Sequence, residues 1–262
     1  MLLASAFGPT PEAIVLSTLG YIRLATRVVV DAAGATDGVQ LDSNYFLFAH
    51  GTSSGPILSY GGVPVTTGEF GGWNPIGAEA IGGGYQIAWK LAGSDSYTIW
   101  NLATNGNYLS SAASAVSGTS LALESAETSF QQDLNGDGVI GPRRTAVEAV
   151  GTTDLVQLAN AYFLYAHGTS SGPALSYNGA PVTAGEFVGW APIGAETTSG
   201  GYEVAWKLAG GDSYSIWKAD NNGNYQTTLV AAVAGTNPTL EAAKPTSSRT
   251  STATVSSACP ER

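Results

Sequence analysis

Asp133, Asn135 and Asp137 stand at alternate positions in DLNGDGVIG, residues 133 to 141, and Gly138 follows them. Oxygen-bearing side chains at positions one, three and five of a tight loop converge on a hard cation, and a glycine at position six makes the sharp turn. The carbonyl of position seven, Val139, adds a fourth oxygen, so these residues form the first half of an EF-hand-type calcium loop. Ile140, at position eight, is the apolar residue expected to tie the loop down. Position twelve departs from the pattern: Arg144 stands where a bidentate glutamate belongs, and Gly141 and Pro142 carry no ligand side chain. A site of so few charges belongs to the weak extracellular class, on the order of 10⁻⁴ to 10⁻³ M. The competing reading is an Asx-rich turn between domains.

The second set of residues is aromatic. All six tryptophans fall at 73, 89, 100, 190, 206 and 217. They could stack on sugar rings, or they could be the core of small domains poor in Leu and Phe, since each buried aromatic removes roughly 150 to 250 Å² from water. Trp89 shares a strand face with Tyr85 and Ile87 and is assigned to the core. Trp100 lies opposite Ile99, and Trp73 sits in the Gly-rich stretch Gly71-Gly72-Trp73-Asn74-Pro75, which reads as loop. These two and their counterparts Trp190 and Trp217 are the expected exposed residues and the candidates for contact with a glycan or a cell-surface component.

His50 and His167 have no second His or Cys beside them and read as turn residues. Glu69 and Glu79, with Glu186 and Glu196, could supply the two carboxyls of a glycosidase, although most such groups are surface carboxylates. No nucleophile elbow, phosphate loop, dinucleotide fingerprint or zinc spacing occurs, so no catalytic activity is expected. A net charge of −10 speaks against nucleic acid and anionic membrane as partners and in favour of divalent cations.

The elements that must position these residues come in duplicate. VVVDAAGATDGVQL (28 to 41) aligns with TAVEAVGTTDLVQL (145 to 158), and the match runs without a gap at a spacing of 117 residues to Glu124 over Glu241. Within each copy Val39 to Leu41, Tyr45 to Phe48 and Val63 to Thr66 read as short strands. The segments 84 to 110 and 201 to 227 read as strand, turn, strand, Asn-Gly turn, strand, with large residues on every second position. Asn105-Gly106 and Asn222-Gly223 are expected to take positive φ at both turn positions. Thr119 or Ser120 can cap a helix from Leu121 to about Gln132, with Leu123, Ala126 and Phe130 on one apolar stripe. The second copy is expected to lose this helix and its loop, because Pro245 falls where the helix should continue.

GYQIAWKLAGSDSYTIWNLATNGNYLS followed by FQQDLNGDGVIG resembles the tryptophan-rich repeat domain found at the C-termini of large cyanobacterial proteins. The resemblance covers Val28 to Gly141 and Thr145 to about Glu241. It implies the calcium loop at Asp133, Asn135, Asp137 and Gly138 and nothing catalytic. It also implies the setting of large secreted bacterial proteins, some with haemolysin-type calcium repeats or secreted hydrolases alongside.

The expected fold is β-rich: all-β meander units with one helix, a tandem duplication of a small aromatic-rich β domain. Its parts are an unmatched segment (1 to 27), domain 1 (28 to 116), a helix and calcium-loop linker (117 to 144), domain 2 (145 to 242) and a disordered tail (243 to 262). The expected function is a non-catalytic secreted or surface module that binds Ca²⁺ and acts in structure or adhesion, exported without a cleaved N-terminal signal. A carbohydrate-binding module and an accessory module of a secreted hydrolase are the alternatives. No apolar run is long enough to span a bilayer.

Overall fold

The computed structural model describes residues 15, 16 and 23 to 243. The expectations of an uncleaved N-terminus and of a disordered tail (243 to 262) lie outside the described residues, except at Ala243, which is helical rather than disordered. The chain divides into two compact units, residues 1 to 143 and 144 to 262. Ahead of the repeat, β1 (Val15–Leu16) pairs antiparallel with β2 (Arg23–Leu24).

Unit 1 builds a three-stranded antiparallel sheet from β3 (Arg27–Asp31), β4 (Thr36–Leu41) and β5 (Asn44–Ala49), then a short hairpin of β6 (Ser59–Tyr60) and β7 (Val63–Pro64). A four-stranded meander follows in the order β8 (Trp73–Ile81), β9 (Gly84–Leu91), β10 (Tyr97–Ala103) and β11 (Tyr108–Val116). Unit 2 repeats the plan with β12 (Arg144–Glu148), β13 (Thr153–Leu158), β14 (Ala161–Ala166), β15 (Ser176–Tyr177), β16 (Ala180–Pro181), β17 (Trp190–Thr198), β18 (Gly201–Leu208), β19 (Tyr214–Ala219) and β20 (Tyr225–Val233). The chain is therefore β-rich and duplicated.

The two-residue period explains the packing. On one face of the meander Ile87, Trp89 and Leu102 meet Tyr45, Leu47, Leu58 and Val65 from the preceding strands. On the other face Ala88, Tyr97, Ile99 and Ala113 meet Leu123 and Phe130 of α1 (Leu121–Phe130) and Leu134 beyond it. Ser120 caps α1 by accepting from Leu123 N at 3.2 Å, and Gln131 ends it in the left-handed region.

Four expectations are corrected. The stretch around Trp73 is the start of a nine-residue strand, not a loop. Proline is tolerated there because β8 is the sheet edge and its register shifts between Pro75 and Gly77. At the Asn-Gly turns only the glycines, Gly106 and Gly223, have positive φ. Gly106 N donates to Ala103 O and Ala103 N to Asn107 O, the longer hairpin that ends in a left-handed glycine. A side chain on Gly106 would also strike the Ile57 carbonyl.

The third correction concerns residues 117 to 143. They are not a joint between domains: α1 and its loop close one face of unit 1, and unit 2 begins at Arg144, which pairs with Leu158. Nor does the second copy lose its helix entirely. α2 (Pro238–Ala243) starts at the equivalent of Leu121, with Thr239 N donating to the Asn237 side chain and Leu240 buried against Ile216 and Val230.

Candidate functional site

The loop after α1 is held from within. Asp133 Oδ1 accepts from Gly136 N (2.7 Å) and Asp137 N (3.1 Å), and Oδ2 accepts from Gly138 N (2.8 Å). Asn135 Oδ1 accepts from Asp137 N, and Asp137 Oδ1 from Val139 N, both at 2.8 Å. Gly136 and Gly138 take φ of +83° and +86°. These bonds, led by that from Gly138, hold the Asp133 carboxyl below its ordinary range. Asp133 and Asp137 therefore share one small loop with the Asn135 amide oxygen and the Val139 carbonyl, all hard oxygen donors that suit calcium. Among the described residues no three carboxylate, imidazole or thiol groups are grouped to hold a metal, so any cation here relies on amide and carbonyl oxygens as well.

Two glutamates tie this loop to the helix, and sequence reading missed both. Glu127 is fully buried; its Oε1 accepts from Leu134 N (3.0 Å) and Asn135 N (3.2 Å) and its Oε2 from Gly141 N (3.0 Å). Glu124 Oε2 accepts from Arg143 N at 3.1 Å. Burial pushes both carboxyls above their usual range, against the pull of the hydrogen bonds they accept. The signal was present: Glu127 lies four residues after Leu123 and three before Phe130, on the buried stripe of α1.

The hydrophobic anchor of the loop is Leu134, buried in the core behind α1, rather than Ile140, which is 54% exposed. At the far end Arg143 Nη2 lies 3.7 Å from Asp137 Oδ2. Arg144 leaves the loop altogether and places its guanidinium 5.7 Å from the centre of the Tyr165 ring in unit 2.

The tryptophans converge. Trp89 and Trp206 are each 2% exposed, as the strand period requires. Trp73 and Trp100 are half-buried rather than free on the surface. Trp100 does point away from Ile99, but both faces of this sheet are covered, so the opposite side is a second core. Its ring centre lies 4.9 Å from that of Trp89 and 5.1 Å from that of Phe70. Together with Phe70, Trp89 and Thr98, Trp73 and Trp100 line an open cleft of about 290 Å³. Trp190 and Trp217 line an equivalent cleft of about 300 Å³ with Phe187, Trp206 and Ser215. In both units the buried indole N–H of the central tryptophan, Trp89 or Trp206, has no acceptor.

The other residues singled out in the sequence serve turns. His50 Nδ1 lies 2.7 Å from Asp37 Oδ1, and His167 Nδ1 lies 2.7 Å from Asp154 Oδ1. Glu69 accepts from Thr66 N at 2.8 Å, as Glu186 does from Thr183 N at 2.9 Å. Glu79 is buried and accepts from Ala35 N; Glu196 accepts from Thr152 N. No helix among the described residues is long and apolar enough to cross a membrane.

Duplicated sheets with aromatic cores, one of them closed by a helix and an Asx-rich loop, define a tandem β-repeat protein. The model of a family described as the tryptophan-rich Synechocystis species C-terminal domain matches residues 36 to 141 and 153 to 249. The chain belongs to that family. No curated protein and no solved structure matches it.

Proposed function

We propose that the chain is a non-catalytic repeat module that takes Ca²⁺ in the loop of its first unit and works in structure or adhesion outside the cell. The observation that supports this reading is the clamp on the loop: Asp133, Asn135 and Asp137 turn their side-chain oxygens back onto the loop's own N–H groups, while Glu127 fixes the backbone of Leu134, Asn135 and Gly141 from behind. Asp133, Asn135, Asp137 and the Val139 carbonyl are the ligands, and water completes the shell. An ion that binds only the ordered loop stabilises it by mass action. Because the loop closes unit 1, calcium braces that unit rather than a joint. The expected result is slower proteolysis near Gly136 at millimolar Ca²⁺ than with chelator; equal cleavage in both would overturn it.

The carbohydrate-binding reading has an observation of its own. Each cleft offers aromatic rings and no ionised group. A neutral pyranose supplies a C–H face for the rings. Glycan binding that falls on Trp100→Ala and again on Trp217→Ala, with the fold intact, is the expected result. Binding unchanged in both variants would remove this reading.

A further inference from the structure

The loop that follows α1 carries a cation of its own. Between residues 117 and 143 four carboxylates, Glu124, Glu127, Asp133 and Asp137, stand against one base, Arg143. The helix sets where that base lies. Glu127 Oε2 accepts from Gly141 N at 3.0 Å and Glu124 Oε2 from Arg143 N at 3.1 Å, so the backbone leaving the loop is pinned at both residues. From this anchored start the Arg143 side chain turns back, and its Nη2 lies 3.7 Å from Asp137 Oδ2. Asp137 Oδ1 already accepts from Val139 N within the loop, so the guanidinium sits against the oxygen that an arriving metal ion would meet. Glu124 lies in the same field: burial chiefly raises its carboxyl, Asp137 adds to the rise and Arg143 opposes it.

We infer that Arg143 is a tethered counter-ion of the loop, which neutralises Asp137 when no metal is bound and competes with a divalent cation for the same carboxylate. The competition, though not the neutralisation, rests on the calcium reading proposed above. A guanidinium keeps its charge throughout the neutral range, so only movement of the side chain relieves the competition. That movement is open to it, because 61% of the Arg143 side chain is exposed and its guanidinium can swing into water. Two effects then oppose calcium. One is the lost ion pair, a factor of up to about five at an exposed site; the other is repulsion of a doubly charged ion by a positive group held nearby.

The test compares the full chain with its Arg143→Gln and Arg143→Lys variants. Both keep the backbone N–H that Glu124 accepts, so the near-ultraviolet circular dichroism should not change. In chelator, cleavage after Leu134 by chymotrypsin, which is blind to the altered base, should run about two- to fivefold faster in Arg143→Gln. Arg143→Lys should stay close to the unaltered chain. In calorimetric titration with Ca²⁺, Arg143→Gln should bind about three- to tenfold more tightly and Arg143→Lys within about twofold of the unaltered chain. An arginine that only held the loop in shape would act the other way, and its loss would weaken calcium. Cleavage in chelator that Arg143→Gln leaves unchanged would overturn the inference, as would measured calcium binding that it weakens or leaves equal. Faster cleavage with no calcium uptake by any of the three chains would remove the calcium reading and leave the tethered counter-ion standing.

Discussion

Tyr97 and Tyr214 hold the same place in the same strand of two duplicated units, yet the first is buried to 1% exposure and the second is only half-buried. The sheets beneath them have the same order and the same register shifts. What differs is one helix: α1 has ten residues and runs into a clamped loop, whereas α2 has six. The aromatic core, built on the inner face, is therefore independent of the helix. The outer face depends on it. One fold thus carries two separable layers, a duplicated aromatic one and a second that, among the described residues, only unit 1 completes.

That comparison can be broken first at the shared layer. Trp89→Ala and Trp206→Ala each empty a buried site and should each cost about 3 to 5 kcal/mol. Hydrogen exchange read separately over each unit should show the loss confined to the unit mutated and similar in the two. The outer layer should respond on one side only. Phe130→Ala, at a fully buried position, should cost about 3 to 5 kcal/mol in unit 1 and leave exchange in unit 2 unchanged.

The caps offer a smaller and finer test. Ser120→Ala and Asn237→Ala each remove a side-chain acceptor from a helix start and should cost about 1 kcal/mol. Only the first should loosen the loop from Asp133 to Gly141, because only α1 leads into one.

The pH dependence separates the units by size. Burial raises the carboxyls of Asp31 and Glu148, which hold equivalent positions in the two units. Glu124 and Glu127 add two more raised groups to unit 1. A carboxyl whose folded pKa lies above its unfolded value leaves the folded state holding more protons between the two values. Stability therefore falls as pH rises from the ordinary glutamate range through the folded pKa, then levels off. Unit 1 should show the steeper fall in urea titrations followed by exchange, and Glu127→Gln should flatten it. Equal slopes in the two units would contradict the assignment.

Much of this was legible in the sequence, and the misses share a cause. The gapless repeat and the two-residue period gave the strands and the buried Trp89, and Ser-x-x-x before an apolar stripe gave α1. Pro75 in a Gly-rich stretch concealed β8, because whether a proline can enter a sheet depends on its being at the edge, a tertiary fact. Trp100 was assigned to solvent because alternation says which residues share a face and not whether the other face is covered. Pro245 drew attention from Leu240, whose burial against Ile216 and Val230 holds the first turn of α2. Glu127 was hidden by its charge: a carboxylate on a buried stripe makes sense only once the loop that it clamps has been placed beside it.

The asymmetry of the two units makes the calcium reading sharply testable. Calorimetric titration of the full chain with Ca²⁺ should give one site per chain, on the order of 10⁻⁴ to 10⁻³ M, and Asp133→Ala should abolish it. Two sites per chain, or uptake unchanged in Asp133→Ala, would contradict the assignment of calcium to the loop that only unit 1 possesses.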